Sequence, residues 1–153
     1  MTGAWVGDTQ CSMTTSSPTP RVGCGAAILR DGKVLLVQRL KQPEALHWGL
    51  PGGKVDWGET TRDTCAREIA EELGLIIRPG RLLCVADTID LGDGQHWVAP
   101  VYLVEDCVGE PVVLEPEALG GCGWFPLDAL PSPLTSATVA ALGALNVDGR
   151  GLD

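Results

Sequence analysis

The chain is short of the side chains that most often mark a metal cage or a base-stacking platform. Of 153 residues, two are histidine, one is tyrosine and one is phenylalanine. His47 and His96 stand alone, without metal-ligand spacing, and read as structural. No CxxC pair occurs. Cys11, Cys24, Cys65, Cys84, Cys107 and Cys122 are scattered and read as small buried or surface thiols, neither a disulfide framework nor a zinc site. Basic charge is also scarce: 11 Lys and Arg against 20 Asp and Glu give a net charge of −9. That balance argues against a basic face for a nucleic-acid polymer. No apolar run approaches the ~18 residues of a membrane span. The N-terminus shows no basic segment leading into an apolar stretch, so no secretory signal is visible and a cytoplasmic protein is expected.

What is present is a body able to fold. Apolar residues make up 44% of the chain and the mean hydropathy is +0.13, above what a disordered chain carries. The length suits one domain, expected over residues 21–146. Residues 1–20, rich in Ser, Thr, Gly and Pro, read as a disordered tail, and 147–153 as a frayed end. Residues 21–29 and 33–39 read as a hairpin about Asp31-Gly32, a dipeptide that favours tight turns. A helix is expected over Thr61–Leu73, ended by Gly74. Extended segments are expected at 75–77 and 81–91, then at 96–104, where Pro100 points to an edge or a bulge. Short strands follow at 112–114 and 123–126, a helical turn at 127–130 and a second helix over 135–145. The order predicts an α/β fold with a mixed sheet between helices.

Acidic charge concentrates where it is hardest to hold. Glu68, Glu71 and Glu72 fall at i, i+3 and i+4, one face of the predicted helix. Like charges there repel and resist ionising together, a conflict that a bound divalent cation removes. Cys65, Ala66, Ile69, Ala70 and Leu73 form an apolar stripe on another face. Just before the helix comes Leu50-Pro51-Gly52-Gly53, read as a tight turn. Taken alone, three glutamates would read as a solvated acidic face. In register with the turn, Glu59 and Arg67, they read as a metal site. Mg²⁺ suits it, since it takes hard oxygen ligands and keeps several waters for substrate oxygens to replace.

From Gly53 to Leu75 the chain matches Gly-x5-Glu-x7-Arg-Glu-U-x-Glu-Glu-x-Gly-U, with U aliphatic, at Gly53, Glu59, Arg67, Glu68, Ile69, Glu71, Glu72, Gly74 and Leu75. This resembles the signature of the Nudix hydrolases. The resemblance implies an α/β/α sandwich and Mg²⁺-dependent hydrolysis of nucleoside diphosphate derivatives, with Mn²⁺ able to substitute. It implies Glu68 and Glu72 as catalytic metal ligands, Glu71 as a further ligand and the Gly52 carbonyl as a backbone ligand. Gly53, Glu59 and Arg67 would brace the loop and helix. A proton acceptor is either a box glutamate or a later loop acid, for which Glu117 is the candidate. Arg39 could reach a substrate phosphate, and Trp48 either stacks on a base or walls the core.

Beyond the box, RVGCGAAI, HWGLPGGKVDWGET, HWVAPVY and LEPEALGGCGWFPLDALP are similar to the MutT-like nucleoside triphosphate diphosphatases, notably the subgroup acting on nucleotide and thiopurine triphosphates. The expected reaction is a triphosphate going to monophosphate and pyrophosphate. The same chemistry on ADP-ribose or a nucleotide sugar is the alternative, although residues 88–93 lack the proline or tyrosine common in enzymes for ADP-ribose or diadenosine polyphosphates. A non-catalytic binding module would show a broken box, and this one is complete. Gly49, next to Trp48, offers no side chain for reading an oxidised guanine. The expected partner is a small nucleotide, and a homodimer is compatible with the resemblance.

Overall fold

The computed structural model describes residues 18–147, with the side chain of Val147 left aside. The expected tail therefore lies outside the described residues up to position 17, as does the expected frayed end beyond Val147. β1 (Arg21–Arg30) and β2 (Lys33–Arg39) form the expected hairpin. Asp31 and Gly32 both take positive φ, 52° and 74°, as a turn matched to strand twist requires. β3 (Trp48–Gly49) and β4 (Gly52–Lys54) follow, then α1 (Thr61–Leu73), β5 (Ile76–Arg78), β6 (Leu82–Ile89), β7 (His96–Val104), β8 (Asp106–Val108), β9 (Leu119–Pro126) and α2 (Ser136–Val147). The main sheet runs β3-β2-β1-β7-β6, with β4 also on β1 and β9 on β2. It is mixed, since β1 and β7 are parallel while the other pairs are antiparallel.

Strand alternation divides the core between two faces. Cys24, Ala26 and Ile28 of β1 join Cys65, Ile69 and Leu73 of α1 in one cluster. Ala27 faces the other way and joins Ala86, Val101 and Ala141, with Ala137 packed against them. The sheet is thus covered by α1 on one side and α2 on the other. Burying Ile69 and Leu73 completely contributes on the order of 2 kcal/mol each. Helix α1 begins at Thr60, whose side chain accepts from Asp63 N, and ends at Gly74 with φ 69°, a conformation cheap for glycine alone.

Three expectations are corrected. Residues 50–53 are not simply a turn: Gly52 and Gly53 pair with Gly25 and Cys24 as β4. Pro100 lies in β7, which has β1 on one side and β6 on the other, so it marks no edge; the bulge alternative has a counterpart close by, where the β6–β7 register shifts between Leu82 and Cys84, opposite Tyr102 and Val101. The β1–β7 register passes over it, from Val22↔Val98 to Gly25↔Val101, as its missing N–H demands. Residues 112–114 form no strand. Their amides cap α1 instead, Val112 N donating to Leu73 O at 3.0 Å and Leu114 N to Glu72 O at 2.8 Å. The short strand of that region is β8, paired with β5. The segment at 127–130 is one turn, closed by Ala129 N on Pro126 O at 3.0 Å.

Candidate active site

Strand β4 lays two glycines against α1, and the site depends on their lack of side chains. A Cβ on Gly52 would run into the Cys24 carbonyl, and one on Gly53 into the Glu68 carboxylate. With hydrogen in their place, Glu68 and Glu72 rest directly beside the strand.

Arg67 organises the acids around it. Its guanidinium donates to Glu59 at 2.7 and 2.9 Å, to Glu68 at 3.0 Å, to Glu71 at 3.1 Å and to the Lys54 carbonyl at 3.3 Å, and it pairs with Asp56 at 3.3 Å. Thr64 Oγ1 also donates to Glu59. These bonds, Arg67 first, hold the Glu59 carboxyl down at about 2, and Glu59 in turn holds the Arg67 guanidinium well above its ordinary value. One side chain thus ties β4, the following loop and α1 together.

The glutamates of the helix face are not equivalent. Glu71 is half exposed on Arg67. Glu68 is mostly buried, and burial raises its carboxyl pKa against the opposing pull of Arg67. Glu72 is pushed up to about 8, first by burial and then by the charges of Glu68 and Glu115, while the Gly52 backbone pulls the other way. Its Oε2 is buried without any hydrogen-bond partner. A carboxylate oxygen set in the interior with nothing to bond is costly and fits a cation that completes it. Among the described residues no three acidic, histidine or cysteine side chains form a group able to hold a metal ion. Mg²⁺ does not ask for one, because it takes one or two carboxylates and fills its shell with water and substrate oxygens.

Glu117 is not the loop acid next to this cluster. It is exposed, whereas Glu115 acts on both Glu68 and Glu72. The reason lies in the strap from Leu114 to Glu72, which sets Glu115 beside the site. The Glu115 carbonyl then accepts from Ala118 N and Leu119 N, both at 3.0 Å, and this turn carries Glu117 away. Only knowledge of that strap could have chosen between the two acids.

A cleft of about 280 Å³ opens on the α2 side of the sheet, beside Gly52, Gly53 and Lys54. Arg39 lines it, with Nε donating to the Pro43 carbonyl at 3.1 Å. Gly49 also lines it, and a Cβ there would meet Thr135 at 2.9 Å, so α2 comes close because this residue is glycine. Thr138 pins the helix by accepting from Leu50 N at 2.9 Å. Trp48 does not line the cleft. It packs edge-on to Phe125 at 5.1 Å, the wall-of-the-core alternative. Thr88 of β6, Trp97 of β7 and Gln95 in the loop between them reach the cleft and were not singled out by the sequence, where nothing marks which strand residues share a face with α2.

Comparison with known proteins agrees with this geometry. The NUDIX domain model matches residues 19–142. A crystal structure of a MutT NUDIX hydrolase from Burkholderia pseudomallei is 57% identical, with a TM-score of 0.80 over 83% of this chain and 98% of that one. The CTP pyrophosphohydrolase of Escherichia coli is 37% identical over 78% of this chain and 86% of its own length. The ADP-ribose pyrophosphatase of Methanocaldococcus jannaschii is 36% identical over 60% of this chain, which spans only 54% of that protein. A glycine cradle, an arginine-braced acid cluster on α1 and a match over most of the sequence lead to one conclusion: this chain belongs to the NUDIX domain family.

Proposed function

We propose that residues 21–146 form an Mg²⁺-dependent hydrolase, with Mn²⁺ able to substitute, that converts nucleoside triphosphates to nucleoside monophosphate and pyrophosphate. The observation that carries this reading is the buried, unpartnered Glu72 Oε2 beside Glu68 and Gly52. Glu68, Glu72 and the Gly52 carbonyl are the donors for metal, and Glu71 joins them when it leaves Arg67. When bound, the metal neutralises phosphate charge and lowers the pKa of a coordinated water.

The chain's own residues do the rest. Arg67 holds Glu68 in place while Gly53 leaves room for it. Arg39 and Lys54, both on the cleft, are placed to neutralise phosphate oxygens. Glu115 takes the role first expected of Glu117 and accepts the proton of the attacking water. The substrate is a small nucleotide, and the protein acts in the cytoplasm. No helix among the described residues is long and apolar enough to cross a membrane.

The triphosphate reading draws on the name of the E. coli relative, which aligns over most of both chains. A second reading, hydrolysis of ADP-ribose or another diphosphate derivative, draws on the name of the M. jannaschii relative. A panel of both substrate classes in oxygen-18 water separates them. Pyrophosphate and labelled product from triphosphates are expected. Release of sugar phosphate from ADP-ribose, with triphosphates untouched, would overturn the first reading in favour of the second.

A further inference from the structure

The cleft floor is built from alternate residues of three adjacent strands: Gly23 and Gly25 of β1, Trp97 and Ala99 of β7, and Thr88 of β6. Alternate strand residues share a face, and the glycines make this floor open at its centre. Gln95 lines the same cleft at the end of the β6–β7 loop, next to β7, and it is held there at three points. Its N–H donates to Asp93 Oδ1 at 3.1 Å. Its carbonyl accepts from Asp90 N at 2.8 Å. Its side-chain Oε1 accepts from Trp97 Nε1 at 2.8 Å. The Asp90 carboxylate stiffens the turn by accepting from Gly92 N and Gly94 N at 3.2 and 3.0 Å.

The bond from Trp97 decides what Gln95 can offer a ligand. An indole N–H only donates, so the amide must turn its oxygen to the ring. The Nε2 hydrogens are then left over, and no acceptor among the described residues bonds to them. The cleft thus contains an amide that has been made a donor and fixed in orientation before any ligand arrives.

We propose that Gln95, oriented by Trp97, is a specificity-determining residue that donates from Nε2 to the base's carbonyl oxygen at the position where keto and amino bases differ, C6 of a purine or C4 of a pyrimidine, so that keto bases are preferred to their amino counterparts. This rests on the reading of the cleft as a nucleotide site. A carbonyl oxygen completes the amide's hydrogen bonding. An exocyclic amino group in the same place sets donor against donor and leaves both unpaired in a partly desolvated cleft, which a site built to hydrogen-bond rejects. Trp97 acts through Gln95 as a positioning residue.

The test uses nucleoside monophosphates that differ by one exchange of carbonyl for amino group: inosine against adenosine monophosphate, and uridine against cytidine monophosphate. Affinities are measured by titration calorimetry with Mg²⁺ for the full chain and for Gln95→Ala, Gln95→Glu and Trp97→Phe, with thermal melts to confirm folding. The unaltered chain is expected to bind the keto member of each pair about tenfold more tightly. Gln95→Ala brings each ratio near one. Gln95→Glu still accepts from the indole but presents an acceptor, and inverts the ratio. Trp97→Phe frees the amide to rotate and gives intermediate ratios. A keto preference that survives in Gln95→Ala overturns the proposal. Equal weakening of both members, the mark of a ribose or phosphate contact, overturns it too, as does a ratio near one in the unaltered chain. These ligands need no hydrolysis, so absence of triphosphate turnover refutes the proposed reaction while the ratios still decide the role of Gln95. Failure to bind any of the four overturns the role of Gln95, while the triphosphate assay alone decides the reaction.

Discussion

Replacing Glu72 with glutamine should stabilise the metal-free protein. The carboxyl has an ordinary value of 4.5 and is pushed up to about 8 in the fold, with burial the leading cause. A group whose native pKa is raised contributes stability that is full below its unfolded value and is lost as pH rises through the native one. The unfolded chain ionises Glu72 from 4.5 upward, while the native chain keeps it protonated until about 8. Across that window metal-free stability falls by about 1.4 kcal/mol per pH unit. Between about pH 5 and about pH 7.5 the loss is therefore ~3 kcal/mol, a shift of roughly 6–12 °C in Tm for a domain of this size. Glutamine keeps the volume and never charges, and it relieves the repulsion on Glu68 and Glu115 at the same time. Urea unfolding with a chelator should show the two proteins nearly equal at about pH 5 and the Gln variant ahead by ~3 kcal/mol at about pH 7.5. Millimolar Mg²⁺ should then raise the unaltered protein alone, because only it gains a bound metal on folding. A difference between the two proteins that stays constant across this pH range would refute the argument that burial of Glu72 strains the apo site.

Other outcomes follow from the same geometry. Gly53→Ala displaces the Glu68 carboxylate and should cut kcat about a hundredfold or more while circular dichroism stays native. Glu115→Gln should lower kcat on the order of a hundredfold, whereas Glu117→Gln, at an exposed position, should leave it within about twofold; parallel steady-state assays compare the two. Glu59 is held down at about 2, so its pairing with Arg67 stabilises above 4.5 and is lost as pH falls from there towards 2. Acid unfolding of Glu59→Gln should accordingly show a shallower decline over that range than the unaltered protein.

The residues from Gly53 to Leu75 announced themselves in one dimension because everything they do is local. Helix periodicity puts Glu68, Glu71 and Glu72 on one face, Gly74 ends the helix, and Arg67 lies within eight residues of its partners Glu59, Glu68 and Glu71. The α/β fold with a mixed sheet, the first hairpin, α1 and most of β6, β7 and α2 were readable from the same short-range patterns. What sequence order could not decide was contact between distant segments. The strap of 112–114 onto the end of α1 makes Glu115 rather than Glu117 the neighbour of Glu72. The same limit hid the pairing of β8 with β5 and the interior place of Pro100. It also hid the hydrogen bond through which Trp97 turns Gln95 into a donor. Local spacing thus determined where charge would gather on α1. Tertiary packing alone decided which of those charges would be buried, because burial depends on what the rest of the chain lays against them.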